Sequence, residues 1–298
     1  MCKKENLMIA LIAVILIALT VFGSFWDYEI ANAVYMGEMP SENLFGILFA
    51  FIGIMPTFVG WSFLGASIFC LSKSPELQKT KKRWLTALSV LLFILSFFYF
   101  CNTLMMVNSN AFSVHWAVAY PIGIAIILAV GYLGYRLSER SKNPELLKSV
   151  LVLAAVSIIT MIIIMSTKGI MNRPRFRFVL DASNESYFRN WWQSGKDIRS
   201  SLFGNAVTDE FSSFPSGHSA YSMFAIFLFP ALADYIPKLQ KFKALLFFFG
   251  FLWWGLTAFS RLSVGAHYLT DVSIAGLVTI LAYAVVTAFK HFASKQKK

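Results

Sequence analysis

Long apolar stretches separated by polar connections dominate the chain. Continuous runs such as residues 151–165 lack the alternation of polar and apolar residues that a membrane β-strand shows. Helices satisfy their own backbone hydrogen bonds within lipid, and about 20 apolar residues are enough to cross the hydrocarbon layer. The sequence therefore predicts an all-α integral membrane protein. About eight transmembrane helices are expected, near residues 7–23, 45–71, 85–107, 112–135, 147–167, 218–236, 244–260 and 270–289.

The composition agrees with this fold class. Of 298 residues, 57% are hydrophobic and 14% are charged, whereas soluble proteins carry about 25% charged residues. The start of the chain allows one alternative, because Lys3 and Lys4 precede the first apolar run and residues 31–33 resemble a signal-peptide cleavage site. Asp27 and Glu29 separate the run from that site, which favours an uncleaved first helix.

The net charge of +11 is compatible with nucleic-acid binding, but its distribution argues for a membrane and against a nucleic-acid partner. Lys and Arg cluster in alternate connections, whereas the connections near 24–44 and 108–111 contain neither. The positive-inside rule places the basic connections in the cytoplasm. Both termini of a multi-pass protein of the cell membrane are thus predicted to be cytoplasmic. The basic connections are residues 3–4, 73–83, 136–148, 238–243 and 290–298.

Eight Lys and Arg residues fall on the predicted outer side and break that rule. Such a concentration indicates an anionic partner, although contact with lipid headgroups could explain Arg189, Lys196 and Arg199. The eight are Lys168, Arg173, Arg175, Arg177, Arg189, Lys196, Arg199 and Arg261.

The connection over residues 168–217 is much longer than the others. Loops of this length are usually functional or disordered. Within it, residues 187–193 contain two tryptophans, a residue type that favours the membrane interface. We predict either a short amphipathic helix or a packed loop at 187–193.

A short motif, Phe214-Pro-Ser-Gly-His218, precedes the sixth apolar run. The proline suits the first turn of a helix, and Ser213 is a plausible N-cap. The N–H groups at a helix start bind anions, Gly217 allows a ligand to approach closely, and Ser216 adds a hydroxyl donor. His218 would then lie beside a bound phosphate. The alternative is a well-capped membrane helix without a ligand.

His267 and Asp271 are four residues apart, which places them on one face if a helix begins there. A carboxylate bonded to one imidazole nitrogen fixes the tautomer and leaves the other nitrogen basic, as a nucleophile requires. Arg261 ends the preceding apolar run and can bind phosphate oxygens through two parallel hydrogen bonds. A purely structural hydrogen bond is the alternative, and the presence of His218 and the cations on the same face argues against it.

Lys168 and Arg175, seven residues apart at the end of the fifth predicted span, add two further cations. Three cations around one phosphoryl group stabilise the charge that grows on its oxygens. Arg173 and Arg177 are alternatives for this role. A zinc site needs three or four His, Cys, Asp or Glu ligands, and cations here would repel a metal, so neither a metal nor another cofactor is predicted.

These clusters resemble the three-part signature of the type 2 phosphatidic acid phosphatase superfamily. Its pattern is Lys, six residues and Arg-Pro; then Pro-Ser-Gly-His; then Ser-Arg, five residues, His, three residues and Asp. The second part matches fully at 215–218 and the third at 260–271, whereas Phe176 replaces the proline of the first. The resemblance implies a six-helix catalytic core within 84–298, preceded by two additional helices of unassigned role in 1–83.

The resemblance also implies a metal-independent phosphatase that acts through a phosphohistidine. His267 would attack phosphorus, Asp271 would orient it, and His218 would protonate the leaving oxygen. The implied substrate is a lipid phosphate of the undecaprenyl pyrophosphate, phosphatidylglycerol phosphate or phosphatidate class, cleaved at the outer membrane surface. The residues implied to hold the phosphoryl group are Lys168, Arg175, Ser216, Gly217 and Arg261.

Two other functions fit the same residues. A lipid phosphotransferase would pass the phosphoryl group from His267 to an acceptor other than water. A non-catalytic lipid-phosphate binder or transporter would use the cations, and the presence of His218, His267 and Asp271 argues against it, since binding does not need them. The sequence leaves the lipid, the choice between hydrolysis and transfer, and the oligomeric state open.

Overall fold

The computed structural model describes residues 3–38, 41–110, 116–204 and 209–295. Within these ranges the chain is helical and has no β-strand, as the apolar pattern predicts. Short 3-10 helices occur at Glu185–Tyr187, Asp209–Phe211 and Pro237–Phe242. The α-helices are, in order, α1 (Lys3–Val34), α2 (Leu44–Ile52), α3 (Met55–Ser72), α4 (Lys79–Asn110), α5 (Trp116–Arg140), α6 (Leu146–Met171), α7 (Phe176–Asp181), α8 (Lys196–Phe203), α9 (Gly217–Met223), α10 (Ala225–Tyr235), α11 (Lys243–Ser263) and α12 (Leu269–Lys295).

Seven helical segments in the described ranges are long and apolar enough to cross a membrane. The predicted span at 218–236 consists instead of two consecutive shorter helices, α9 and α10. The start of the span predicted at 112–135 lies outside the described residues. The prediction of an all-α, multi-pass membrane protein with about eight helices is confirmed.

The second apolar run divides into two helices. Asn43 caps α2, because its side chain accepts a hydrogen bond from the main-chain N–H of Gly46 at 2.8 Å. The helix ends at Ile52, and Pro56 then lies in the first turn of α3, where its missing N–H would have no intrahelical partner. As a result, α2 is a separate helix of nine residues.

Residue contacts divide the chain into two compact units. The first comprises residues 1–53, 158–223 and 253–284, and it contains all three sequence motifs. The second comprises residues 54–157, 224–252 and 285–298.

The second unit is built around α3, which packs against α4 and α5. A Cβ atom at Gly134 of α5 would clash with the main-chain oxygen of Phe63, so these helices approach closely only because the residue has no side chain. The Ser89 hydroxyl of α4 donates to the Gly65 oxygen of α3 at 2.8 Å. Small residues and hydroxyl contacts of this kind stabilise helix pairs in lipid.

In the first unit, the long connection between α6 and α9 contains the α-helices α7 and α8. Phe176, the first residue of α7, is fully buried against Tyr28, Tyr35 and Tyr268. Phe176, which stands in place of the motif's proline, thus begins α7 and packs among aromatic rings.

Residues 187–193 form the packed loop, not the amphipathic helix. The preceding 3-10 turn ends at Tyr187, and the next α-helix begins only at Lys196. The Trp191 ring stacks on Phe214, with ring centroids 6.0 Å apart, and its N–H donates to the Ser24 hydroxyl at 2.9 Å. This loop therefore packs beside the second motif.

Candidate active site

The turn between α11 and α12 carries the third motif. Gly265 has a positive φ of 64°, a conformation that favours glycine, and its main-chain oxygen accepts from the Arg177 N–H at 3.0 Å. The His267 N–H donates back to the Arg261 oxygen at 3.3 Å. The tight turn thus holds Arg261 and His267 together, with Asp271 in the first turn of α12.

The His267 ring is fixed by a main-chain carbonyl group. Its Nδ1 atom lies 2.6 Å from the Ser213 oxygen and 3.8 Å from Asp271 Oδ2. Because a carbonyl oxygen can only accept, Nδ1 carries the proton, and the neutral ring keeps its lone pair on Nε2. Their spacing suggested a direct hydrogen bond between Asp271 and His267. That prediction is wrong, because the main-chain oxygen of Ser213 is the hydrogen-bond partner of His267 Nδ1.

Asp271 acts on His267 through its neighbours. Its Oδ2 accepts from the Ser213 hydroxyl at 2.5 Å and from the Tyr268 N–H at 2.9 Å. The second contact is a capping-box contact, in which an acidic side chain in the first turn reaches back to the start of its helix. Asp271 thus fixes both the Ser213 segment and the residue after His267.

Burial lowers the pKa of the His267 imidazole to about 3. The positive charges of Lys168 and Arg175 act in the same direction as burial and the Asp271 carboxylate acts against them, and the pKa of about 3 is the result of all these influences. The ring is therefore neutral at physiological pH, which is the form in which Nε2 can attack an electrophile.

The second motif starts α9 three residues later than an N-cap at Ser213 would place it. The helix begins at Gly217, and the Ser219 N–H lies 3.3 Å from the Ser216 hydroxyl oxygen, which accepts from it. Ser216 is thus the N-cap, and the prediction of Ser213 in that role is wrong. A Cβ atom at Gly217 would lie 3.8 Å from Lys168 Cε, so the first and second motifs are adjacent at this point.

The basic groups of the three motifs lie around His218. Arg261, His267, Lys168 and Arg175 are near enough to interact electrostatically with its ring, so these five of the predicted site residues lie near one another. Each of the four groups expected to face the phosphate contacts an oxygen atom of the protein instead. Lys168 Nζ donates to Ser212 O (2.5 Å), Arg175 pairs with Asp209 (2.8 Å), Arg261 donates to Gly46 O, and His218 Nε2 lies 3.1 Å from Ala50 O.

Arg173 has a structural position. It is fully buried, and its guanidinium lies between Asp27 and Asp271, at 2.9 Å and 2.6 Å. The same group stacks over the Tyr268 ring, 4.1 Å from the centroid. Arg173 therefore stabilises the position of Asp271.

The other two arginines of the first motif differ in the accessibility of their partners. Arg177 pairs with Glu38 and Glu210, and it ties the connection after α1 to the motif. Arg175 pairs with Asp209, of which 71% is exposed. A carboxylate in such contact with solvent is readily exchanged for another anion, so Arg175 fits the phosphate-binding role better than its two neighbours.

Sequence reasoning missed two groups of contributors. Asp27 was available as a signal, because it closely follows the first predicted span and an ionisable residue in a membrane helix often marks a functional site. The main-chain oxygens of Gly46 and Ala50 in α2 carry no signal in the sequence. Among the described residues, no group of three or more His, Cys, Asp or Glu side chains is placed to hold a metal ion.

The family comparison agrees with the geometry. No curated protein and no solved structure matches the chain. A family model described as the PAP2 superfamily matches residues 145–297, which is more than half of the chain and includes all three motifs. The chain therefore belongs to the PAP2 superfamily, whose members are phosphatases.

Proposed function

We propose that the protein is a lipid phosphate phosphatase in which His267 carries the phosphoryl group as a covalent intermediate. The proposal rests on the tautomer and the hydrogen bond of the His267 ring. Its Nδ1 proton is bonded to Ser213 O, so that Nε2 keeps a lone pair, within a site that also contains Lys168, Arg175 and His218. A neutral imidazole beside several cations suits attack on an anionic phosphorus centre.

When substrate binds, we expect phosphate oxygens to replace the protein oxygens that now contact the basic groups of the site. The contacts from Lys168, Arg261 and His218 to main-chain oxygens satisfy these donors with neutral acceptors. A phosphate group offers the same geometry with negative charge, and charge-assisted hydrogen bonds are roughly twice as strong as neutral ones. The phosphate would therefore displace these oxygens, and the Ser216 hydroxyl and the open space at Gly217 would complete its binding site.

The reaction proceeds in two displacements. His267 Nε2 forms a bond to phosphorus while the bond between phosphorus and the lipid oxygen breaks, and His218, which takes up a proton when the phosphate anion binds beside it, gives that oxygen the proton. Water then attacks the phosphohistidine, with the deprotonated His218 accepting a proton from it, and inorganic phosphate leaves as the nitrogen–phosphorus bond breaks. The two steps return both histidines to their starting states.

A lipid substrate is supported by the position of the site at helix ends. Lys168 is in the last turn of α6, Arg261 in the last turn of α11, and Asp271 in the first turn of α12. A lipid could present its headgroup there while its tails stay in the bilayer. The charge distribution along the chain favours the extracytoplasmic side, with both termini in the cytoplasm. Candidate substrates are undecaprenyl pyrophosphate, phosphatidylglycerol phosphate and phosphatidate.

Phosphate release from a panel of lipid mono- and diphosphates by the purified protein tests the proposal. Turnover is expected with at least one lipid, and a chelator should not reduce it. His267→Ala should abolish turnover in a protein that still folds, and residual activity within about tenfold of wild type would contradict the nucleophile assignment. Release that depends on an added alcohol acceptor would indicate a phosphotransferase instead.

A further inference from the structure

We propose that Asp27, on a helix outside the region matched by the family model, is a positioning residue for His267. The assignment rests on the function proposed above. Asp27 is 3% exposed within a helix that is otherwise strongly apolar, and a charge in such a segment needs a partner. Its partners belong to the first and third motifs.

A stripe on α1 packs against α12. The Thr20 hydroxyl donates to Ser273 Oγ at 3.0 Å, and a Cβ atom at Gly23 would lie 2.9 Å from Thr270 Cγ2. Leu16, Thr20 and Gly23 recur at intervals of four and three residues, which defines one face of a helix, and Asp27 directly follows the non-helical residue Trp26, at which α1 is kinked. The contacts of this stripe therefore determine where along α12 the Asp27 carboxylate of α1 lies. It consists of Leu16, Thr20, Gly23 and Asp27.

The Asp27 carboxylate completes a buried ionic set. Oδ2 accepts from Arg173 at 2.9 Å and Oδ1 accepts from the Thr270 N–H at 3.0 Å. The Thr270 hydroxyl donates to Asp27 and accepts from Arg173. The other side of the Arg173 guanidinium donates to Asp271 at 2.6 Å. One guanidinium is thus shared by two carboxylates, which leaves a net negative charge on the set.

The negative charge of these carboxylates lies close to the His267 ring. Asp271 Oδ2 lies 3.8 Å from His267 Nδ1, and the imidazole becomes positive as Nε2 bonds to phosphorus. If Arg173 paired with Asp271 alone, the pair would be neutral. The second carboxylate, Asp27, keeps the set negative and therefore favours the charged ring in a site of low dielectric constant. It also clamps Arg173 from the opposite side, which fixes Asp271.

The effect should appear in kcat, because Asp27 contacts none of the groups proposed to hold phosphate. Asp27→Asn is expected to lower kcat by about 10- to 100-fold and to change KM by less than about threefold. Asp27→Glu, which keeps the charge, is expected to recover part of the loss. The matched control is Glu29→Gln, the same change of charge at an exposed position two residues along the helix, which should have the wild-type kcat. A wild-type kcat for folded Asp27→Asn, or a loss confined to KM, would overturn the proposal.

Thr270→Val keeps the test valid if Asp27→Asn does not fold. This variant removes the hydroxyl that joins Asp27 to Arg173 and retains every charge. Its kcat is expected to fall by about 3- to 10-fold with KM unchanged. If Asp27→Asn yields no folded protein and Thr270→Val retains the wild-type kcat, Asp27 serves only the fold.

A second readout does not depend on activity. In nitrogen-15 spectra of histidine-labelled full-length protein, Asp27→Asn should shift the ring signals of His267, assigned through His267→Ala, and Glu29→Gln should not. Unchanged His267 signals would overturn the positioning role even if the protein releases no phosphate from any lipid. Shifted signals without phosphate release would support the positioning role and reject the proposed function.

Discussion

Ser213 contacts both members of the His267–Asp271 pair. Its main-chain oxygen lies 2.6 Å from His267 Nδ1, and its hydroxyl lies 2.5 Å from Asp271 Oδ2. Its main-chain N–H donates in turn to the Arg173 oxygen at 3.1 Å. One residue just before the second motif therefore links the first motif to the third, and its backbone and side chain have separable effects.

Removing only the Ser213 hydroxyl tests this separation. Ser213→Ala keeps the carbonyl bonded to His267 and deletes the contact with Asp271, so we expect kcat to fall by about tenfold, the cost of one hydrogen bond to a charged group. Asp271→Asn should be more damaging, since it also weakens the contact with Arg173. Phosphate release under saturating lipid measures both variants.

Ser201→Ala is the control for the serine change, because its hydroxyl bonds to the Ile198 oxygen within α8 and it should leave kcat unchanged. A large loss in Asp271→Asn with a wild-type kcat in Ser213→Ala would contradict an action of Asp271 through the Ser213 hydroxyl.

Loss of Arg173 is predicted to lower the stability of the protein, whereas loss of Arg175 is predicted to lower its activity. Arg175→Ala should lower kcat/KM by about 2–4 kcal/mol, as for other lost donors to a developing anion, with little change in thermal stability, because its partner Asp209 is already in water. Arg173→Ala leaves Asp27 and Asp271 buried without their shared cation. Breaking such a buried ion pair costs about 3–5 kcal/mol of stability.

Thermal unfolding in detergent and phosphate release, measured on both variants, separate the two roles. The pair is its own control, since the same substitution is made two residues apart. An Arg173→Ala protein as stable as wild type, or an Arg175→Ala protein with unchanged kcat/KM, would contradict the assignment.

The sequence predicts the helices and the chemistry of the motifs because both signals are local. Apolar runs define spans, and the spacing from His267 to Asp271 lies within one turn of helix. Contacts between distant segments leave no local signal. Thr270 and Asp27 are 243 positions apart, and the Ala50 oxygen that faces His218 belongs to the backbone of a helix 168 positions away. The break between α9 and α10 also escaped prediction, because both helices are apolar.

Asp209 is predicted to compete with substrate. Its carboxylate is paired with Arg175, and the phosphate of the substrate must displace it. Asp209→Asn should therefore lower KM, by up to about fivefold, the range expected for an exposed ion pair. Arg175 remains positioned by the main-chain oxygen of Asp209, which accepts from Nε at 2.9 Å, so kcat should hold. The effect should shrink at high salt.

Asp197→Asn provides the matched control for Asp209→Asn. Asp197 is an exposed carboxylate paired with Arg189, and 66% of its side chain is accessible. This variant removes the same charge from the same connection and should leave KM within about twofold of wild type, as expected for a pair outside the site. A raised KM in Asp209→Asn would contradict the competition and would indicate that the carboxylate helps to bind substrate.

Stability should fall in acid because His267 is buried as a neutral ring. Its pKa is about 3 in the folded protein, against an ordinary value of 6.5, so between these values the unfolded chain binds the additional proton. Stability is complete above the ordinary pKa and declines as pH falls toward the folded one. His267→Gln removes this titration. We expect its melting temperature to drop less than that of wild type between about pH 7 and about pH 5, measured in the same detergent. Equal drops would contradict a neutral, buried His267.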